Sequence, residues 1–187
     1  MAASLSFKDA FVIPLGKEEL VDKARCSLAG DSKSDHLMMA NVMMKWEYSI
    51  ERGNSRYFCH ENFLSEAVLK MLDHHKKQFA EHLHNMHFIN SPNPKHQSAN
   101  KNSNKEALVR AIICAGLYPN VAMIKKVRKI RPKEFNSKPE LKYTVILQTQ
   151  QEHHVELHPK STNSKVDGKF KYQWMVYHTK MRSTKAN

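Results

Sequence analysis

The sequence predicts an α+β protein in which a helical bundle precedes a small antiparallel β module. In most of the first 118 residues, apolar side chains recur every three or four positions, which is the spacing of one helix face. After Pro119 the pattern changes to short alternating or β-branched segments, separated by prolines and glycine. The predicted domains are therefore residues 1–118 and 119–187.

Two segments have the clearest helical periodicity. In residues 35–50, Leu37, Ala40 and Met44 fall on one stripe, with Met43 and Trp46 beside it. The longest predicted helix spans residues 62–87. Its apolar stripe contains Leu64, Val68, Met71, Leu72, His75, Phe79, Leu83 and Met86.

A third helix is predicted after a breaker-rich loop over residues 90–104, which contains two prolines and five asparagines. Ser103 and Glu106 have the spacing of a capping box, in which each side chain binds the other residue's backbone amide. Gly116 and the following Pro119 are placed to end this helix. Its apolar face would contain Ala107, Leu108, Ala111, Ile112 and Ala115.

Three strands are predicted in the last third of the chain, over residues 142–149, 154–158 and 172–178. Phe170, Trp174 and Val176 would form the inward face near the last strand, and for Trp174 alternation favours this face over base stacking. The sequence stops soon after this strand, so we expect a β module that is incomplete.

The positive charge is concentrated in the same third of the chain. The net charge is +12, yet residues 1–118 hold 15 Lys/Arg against 13 Asp/Glu, whereas residues 119–187 hold 15 against 5. A basic segment attached to a nearly neutral body indicates a polyanionic partner. A basic face that only keeps the protein soluble is the alternative.

Several classes of function have no support in the sequence. No apolar run reaches the ~18 residues of a membrane span, and the first residues lack the features of a secretory signal. The three cysteines are far apart, which suits a reducing, cytoplasmic or nuclear compartment. The twelve histidines form no zincin motif, and neither a phosphate-binding G-x-x-x-x-G-K-[ST] loop nor a D-E-x-H box occurs. We therefore expect no catalysis, no metal site and no bound cofactor in this chain alone.

Binding chemistry remains, because cations alternate with aromatic residues near the end of the chain. Cations neutralise phosphates, and aromatic faces stack on bases. A second basic run, over residues 125–131, predicts a phosphate-facing edge or a nuclear-localisation-like patch. The candidate phosphate ligands are Lys169, Lys171, Lys180, Arg182 and Lys185.

A series of short motifs also resembles a known family. They occur in order as Ser34-Asp-His-Leu37, Trp46, Phe58-Cys-His-Glu-Asn-Phe-Leu-Ser65, Lys77-Gln78, Ala115-Gly-Leu-Tyr-Pro-Asn-Val-Ala122, His158-Pro-Lys-Ser161, and Trp174-Met-Val-Tyr-His178 with Thr184-Lys185. The series is similar to DEAH/RHA-type RNA helicases, from the helical HA2 (ratchet-like) domain into the OB-fold. Residues 4–17 most resemble the RHAU subgroup, whose members resolve G-quadruplexes and bind AU-rich RNA.

The resemblance implies an RNA-binding or single-stranded-DNA-binding accessory region. ATP and Mg²⁺ would be bound by RecA-like domains that this chain lacks, and the OB-fold would be truncated. RecA-like domains or helicase-interacting proteins are further implied partners, and the membrane is not one. The implied RNA-binding residues are Asp35, His36, Asn62 and Gln78 in the helical part, and His158, Lys160, Ser161, Thr184 and Lys185 in the OB part.

Two alternatives stay open. Asp35, Asn62 and His158 fit helix capping or core hydrogen bonding as well as they fit RNA contact. The whole chain could also be a protein–protein interaction module, or a truncated helicase paralogue that binds helicase partners without unwinding.

Overall fold

The computed structural model describes residues 1–5, 9–130, 142–165 and 169–182. The chain divides into two compact units, Met1–Asn104 and Lys105–Asn187. The first unit is helical and the second contains one helix and a four-stranded antiparallel sheet, so the predicted α+β class is confirmed. This division groups the helix after Lys105 with the strands, and the domain boundary after residue 118 stays a prediction.

Six α-helices are described in the first unit. The predicted helix over residues 35–50 is confirmed, and the one predicted over 62–87 is shorter because Asn62 ends the preceding helix and Phe63 has a positive φ of 54°. Ser65 then caps the long helix by accepting a hydrogen bond from the Val68 amide at 3.4 Å. The helices are α1 (Ala2–Leu5), α2 (Glu18–Ala29), α3 (Asp35–Glu51), α4 (Ser55–Glu61), α5 (Glu66–Asn85) and α6 (Gln97–Asn100).

The buried face of α3 differs from the predicted stripe. Met38, Val42 and Trp46 are buried, whereas Met44 is exposed. Methionine and alanine occur on several sides of this helix, so more than one apolar stripe could be drawn from the sequence. Packing of α3 against α2 and α4 selects the stripe that contains Val42.

Half of the stripe predicted over residues 62–87 is wrong. Leu64 and Leu72 are buried and Val68 packs against the core, but Leu69 and Ala80 are buried although they were not in that stripe. Helix α5 packs against α1, α3 and α4, which select the face that contains Leu69 and Leu72. The exposed members are Met71, Phe79, Leu83 and Met86.

The second unit contains α7 (Glu106–Leu117), β1 (Val121–Ile130), β2 (Lys142–Thr149), β3 (Val155–Glu156) and β4 (Trp174–Val176). The strands pair antiparallel in the order β3-β2-β1-β4. The three predicted strands are confirmed, two of them shorter than expected. Strand β1 was missed, because its residues 125–130 are mostly basic and were interpreted as a charged run.

The predicted capping box of α7 is wrong. The helix begins after Lys105, whose side chain makes no capping hydrogen bond. The Ser103 hydroxyl instead donates to the Asn100 carbonyl at 2.8 Å, within the turn that follows α6. Gly116 lies inside the last turn, and the helix ends at Leu117, just before Pro119.

Within the described parts of the chain, no helix is both long enough and apolar enough to cross a bilayer.

Candidate nucleic-acid interface

The pairing of β1 decides which side chains of the sheet are buried. Residues directly opposite each other in an antiparallel pair lie on the same face. Ala122 is opposite Thr149 on β2 and Met175 on β4. Ala122 is buried in the core of this unit, and Met175 packs against that core. This row therefore defines the core face of the sheet.

The opposite face presents a tryptophan. Trp174 is opposite Met123, one position along from the core row, and its side chain is 61% exposed. The prediction that Trp174 and Val176 point inward is therefore wrong, and Met175 and Tyr177 pack inward instead. Side chains do alternate along β4, but the residues predicted to face the core lie on the opposite face. The face of each β4 residue is set by which β1 residue it lies opposite.

A β-bulge adds a cation to the same face. The register between β1 and β2 shifts between Ile124 and Lys126, so Lys125 is an extra residue in the bulge. Because Ile124 is opposite Leu147 on the core face and Lys126 is opposite the next residue, Ile146, Lys126 lies on the face of Met123 and Trp174. We call Met123, Lys126 and Trp174 the Trp174 face.

The segment before β4 adds a second exposed aromatic side chain. Tyr172 is 57% exposed, and Lys171 Nζ lies 5.2 Å from the centre of its ring. A lysine over an aromatic ring is attracted by the ring quadrupole. The cation and the ring are therefore held together next to the Trp174 face.

Most of the exposed cations of the described second unit have no ion pair with a described acid. Lys180 is different, because its Nζ lies 3.1 Å from Oε2 of Glu152. Three of the predicted phosphate ligands, Lys169, Lys171 and Arg182, are in the first group. That group consists of Lys105, Lys125, Lys126, Lys160, Lys169, Lys171 and Arg182. The predicted ligands Thr184 and Lys185 lie outside the described residues.

The predicted residues His158, Lys160 and Ser161 form one compact turn. Nδ1 of His158 accepts a hydrogen bond from the Lys160 amide at 3.1 Å, and Oγ of Ser161 accepts one from the Asn163 amide at 3.2 Å. The histidine and serine thus shape the turn, and the Lys160 side chain extends from it into solvent.

The other four predicted residues belong to the helical unit. Asp35 and His36 are half-buried in the first turn of α3, and Gln78 is half-buried on α5. Asn62 is the C-cap of α4, and its Nδ2 donates to the Phe58 carbonyl at 2.8 Å. These four lie on three different helices, and the described contacts give Asn62 a capping role.

Lysines around α5 are paired with acids, unlike most of those in the second unit. Lys77 Nζ lies 2.8 Å from Oδ2 of Asp73, and Lys76 contacts both Glu47 and Asp73. Burial raises the pKa of Asp73, but the hydrogen bond from Lys77 and the charges of Lys76 and Lys77 together outweigh it and lower this pKa. A hydrogen bond to Glu47 raises the pKa of Lys95 in turn.

A polar cleft of about 290 Å³ opens at one end of the sheet. Three segments converge there: the residues before β1, the turn after β2, and the residues after β4. Sequence reasoning missed this cleft, because its lining comes from positions about 30 residues apart in the chain. The lining residues are Pro119, Asn120, Thr149, Gln150, Gln151, Tyr177, His178, Thr179 and Lys180.

No group of three or more His, Cys, Asp or Glu side chains suited to a metal ion occurs in the part of the chain that the structure describes. The described second unit presents cations, exposed aromatic rings and carboxamides.

Exposed cations and aromatic rings on an antiparallel sheet are features that OB-folds use to bind oligonucleotides. Residues 109–187 match the family model for the oligonucleotide/oligosaccharide-binding (OB) fold. The matched range contains most of α7 and all the described strands.

The relatives identify the larger family. The chain is 45% identical to the ATP-dependent DNA/RNA helicase DHX36 of Bos taurus, and equally to that of Homo sapiens, over 98% of its length. It is 31% identical to the DExH-box ATP-dependent RNA helicase DExH1 of Arabidopsis thaliana, also over 98% of its length. In each case the chain spans 17% of the relative. The chain belongs to the DEAH/RHA helicase family and corresponds to its OB-fold region together with the helices before it.

Proposed function

We propose that this chain is an RNA-binding accessory region of a DEAH/RHA-type helicase, and that Lys105–Asn187 contacts single-stranded RNA. The main support is the set of exposed cations in the second unit that have no ion pair with a described acid, together with exposed Trp174 and Tyr172. The second unit carries 17 Lys/Arg against 6 Asp/Glu, whereas Met1–Asn104 carries 13 against 12.

The two kinds of side chain supply different parts of the interaction. Each cation that contacts a phosphate releases a condensed counterion, which favours binding and makes it depend on salt. Exposed aromatic rings stack on bases of any sequence. Lys126 and Trp174 are exposed on the same face of the sheet, where Lys126 would contact a phosphate and Trp174 would stack on a base.

The chain's role would be to hold the strand while other domains move it. The names of the relatives describe ATP-dependent helicases, and the sequence of this chain has no G-x-x-x-x-G-K-[ST] loop. ATP and Mg²⁺ would then be bound elsewhere in a complete helicase, and this chain alone would not hydrolyse ATP.

A salt titration tests the proposal. Fluorescence anisotropy with a labelled, unstructured RNA gives log K against log salt, and each phosphate contact on a single strand contributes about −0.7 to the slope. The triple variant Lys169→Gln, Lys171→Gln, Arg182→Gln should have a slope shallower by about 2. The matched control Lys23→Gln, Lys45→Gln, Lys101→Gln removes three exposed cations of the helical unit and should leave the slope unchanged.

The alternative function gives the opposite result. A protein–protein interaction module would bind RNA weakly, and the two triple variants would behave alike. Equal loss of slope in both variants would also contradict the proposal, since it would mean that RNA responds only to net charge. Repeating the titration with single-stranded DNA and with a G-quadruplex-forming RNA tests the wider ligands that the RHAU resemblance implies.

A further inference from the structure

We propose that the polar cleft at the end of the sheet binds one base of the RNA strand and prefers adenine. This inference rests on the proposed RNA-binding function and adds a site of base recognition to it. The cleft volume of about 290 Å³ is at the lower limit of ligand pockets. It suits a group the size of a nucleobase.

The cleft is built by hydrogen bonds that do not involve the carboxamides of Asn120, Gln150 and Gln151. Asn120 accepts a hydrogen bond from the Tyr177 amide at 3.1 Å through its carbonyl oxygen, which joins the start of β1 to the segment after β4. The turn after β2 closes when the Thr149 amide donates to the Glu152 carbonyl at 2.9 Å and Thr149 Oγ1 accepts from the Glu152 amide at 3.1 Å. Gln150 and Gln151 are held at the tip of this turn.

Three carboxamides face the cleft without using their hydrogen-bonding groups elsewhere. The side chains of Asn120, Gln150 and Gln151 have no hydrogen-bond partner among the described residues. Each carboxamide offers an oxygen acceptor and two N–H donors. Unstacked bases in single strands are recognised through such groups at their exposed edges.

The free carboxamides favour adenine over guanine and cytosine. Asn and Gln form two hydrogen bonds with adenine N6 and N7, whereas guanine is best recognised by Arg or Lys, and cytosine N4 by a carboxylate. Lys180, the cation that lines this cleft, is paired with Glu152 of the adjacent turn. Asn120, Gln150 and Gln151 therefore offer carboxamides that no described residue occupies and that can read a base.

The test uses the full chain and labelled oligouridine with one internal uridine replaced by adenosine, cytidine or guanosine. The adenosine oligomer should bind about tenfold more tightly than the others, which is the discrimination expected of one bidentate contact. The double variant Gln150→Ala, Gln151→Ala and the single variant Asn120→Ala should lose this preference while still binding oligouridine. Gln97→Ala, on α6 in the helical unit, is the matched control and should retain it.

The outcomes separate this inference from the function on which it rests. If all four oligomers bind equally and the salt dependence is steep, the proposed function stands and the adenine site is wrong. A preference that persists in the Gln150/Gln151 and Asn120 variants also overturns the site. Absence of RNA binding overturns both. Far-UV circular dichroism of each variant confirms that the sheet is intact.

Discussion

The Nζ atom of Lys180 lies 3.1 Å from Oε2 of Glu152, and this ion pair joins the segment after β4 to the turn after β2. The sequence presents Lys180 as one of several equivalent phosphate ligands. In the folded unit its charge is already partly compensated. Lys180 therefore differs from the other exposed cations of this unit, which have no ion pair with a described acid.

Removing the acid should free the lysine. We expect Glu152→Gln to tighten RNA binding severalfold at low salt and to steepen the salt dependence by about 0.7, the value for one more phosphate contact. Fluorescence anisotropy measures both quantities. The effect should vanish when Lys180→Gln is added. Glu81→Gln, which makes the same change of charge on α5, is the control, and an equal gain in that variant would contradict the prediction.

Trp174 should report RNA binding directly. The protein has two tryptophans, and Trp46 is 2% exposed whereas Trp174 is 61% exposed. Stacking of a base on Trp174 should quench its fluorescence, and the remaining emission of a Trp174→Phe variant, from Trp46, should not respond to RNA.

Trp174→Ala should lower affinity by about 1–3 kcal/mol, the usual cost of removing one stacking platform. Because the side chain is mostly exposed, the free energy of unfolding should change little. Tyr57→Ala removes an aromatic side chain that is 67% exposed in the helical unit and should leave RNA affinity unchanged. Unaltered affinity in Trp174→Ala would exclude the Trp174 face from the interface.

The Asp73–Lys77 contact should make the helical unit less stable in acid. The pKa of Asp73 is lowered in the folded state from its ordinary value of 3.8, because the hydrogen bond and charge of Lys77, with the charge of Lys76, outweigh the effect of burial. Its contribution is then present above pH 3.8 and is lost as the pH falls through the lowered pKa.

Urea unfolding followed by Trp46 fluorescence measures this contribution. Asp73→Asn should lower the free energy of unfolding by about 1 kcal/mol or less at neutral pH, since the contact is near the surface. The difference from the unmodified protein should disappear below the lowered pKa. Asp31→Asn, at an exposed position without a described lysine contact, is the matched control. A difference that persists in strong acid would exclude the ion pair as its cause.

Substitution of Asn62 tests whether this residue caps α4 or also binds RNA. Its side chain donates to the Phe58 carbonyl, so Asn62→Ala should lower the free energy of unfolding by roughly 1 kcal/mol. RNA affinity should be unchanged if capping is its function, and lower if the role implied by the resemblance also holds. Asn102→Ala, at an exposed position, is the control for both measurements.

The sequence predicted most helices and strands well, because the patterns that indicate them lie within each segment. The helix over residues 35–50 and the strand over residues 142–149 were predicted nearly to their ends, since periodicity and β-branched content act within each segment. Strand β1 was missed for the same reason: Lys125 and Lys126 break its pattern, and its pairing with β2 supplies the stability that its own residues do not indicate.

The direction in which side chains point was harder to predict from the sequence. The correct faces of α3, α5 and β4 depend on partners that are distant in the chain, and Trp174 changed from a predicted core residue to an exposed one when its partner proved to be Met123. A shift of one residue in register moves every side chain of a strand to the other face.

The sequence alone determined the fold class, the change from helices to strands, the concentration of positive charge in the last third and the resemblance to DEAH/RHA helicases. The tertiary structure decided which faces are buried, that Lys180 is paired with Glu152, and that Asn120, Gln150 and Gln151 line one cleft. The physical reason is that periodicity and charge are properties of consecutive residues. Burial, ion pairing and a cleft arise only when segments far apart in the chain are brought into contact.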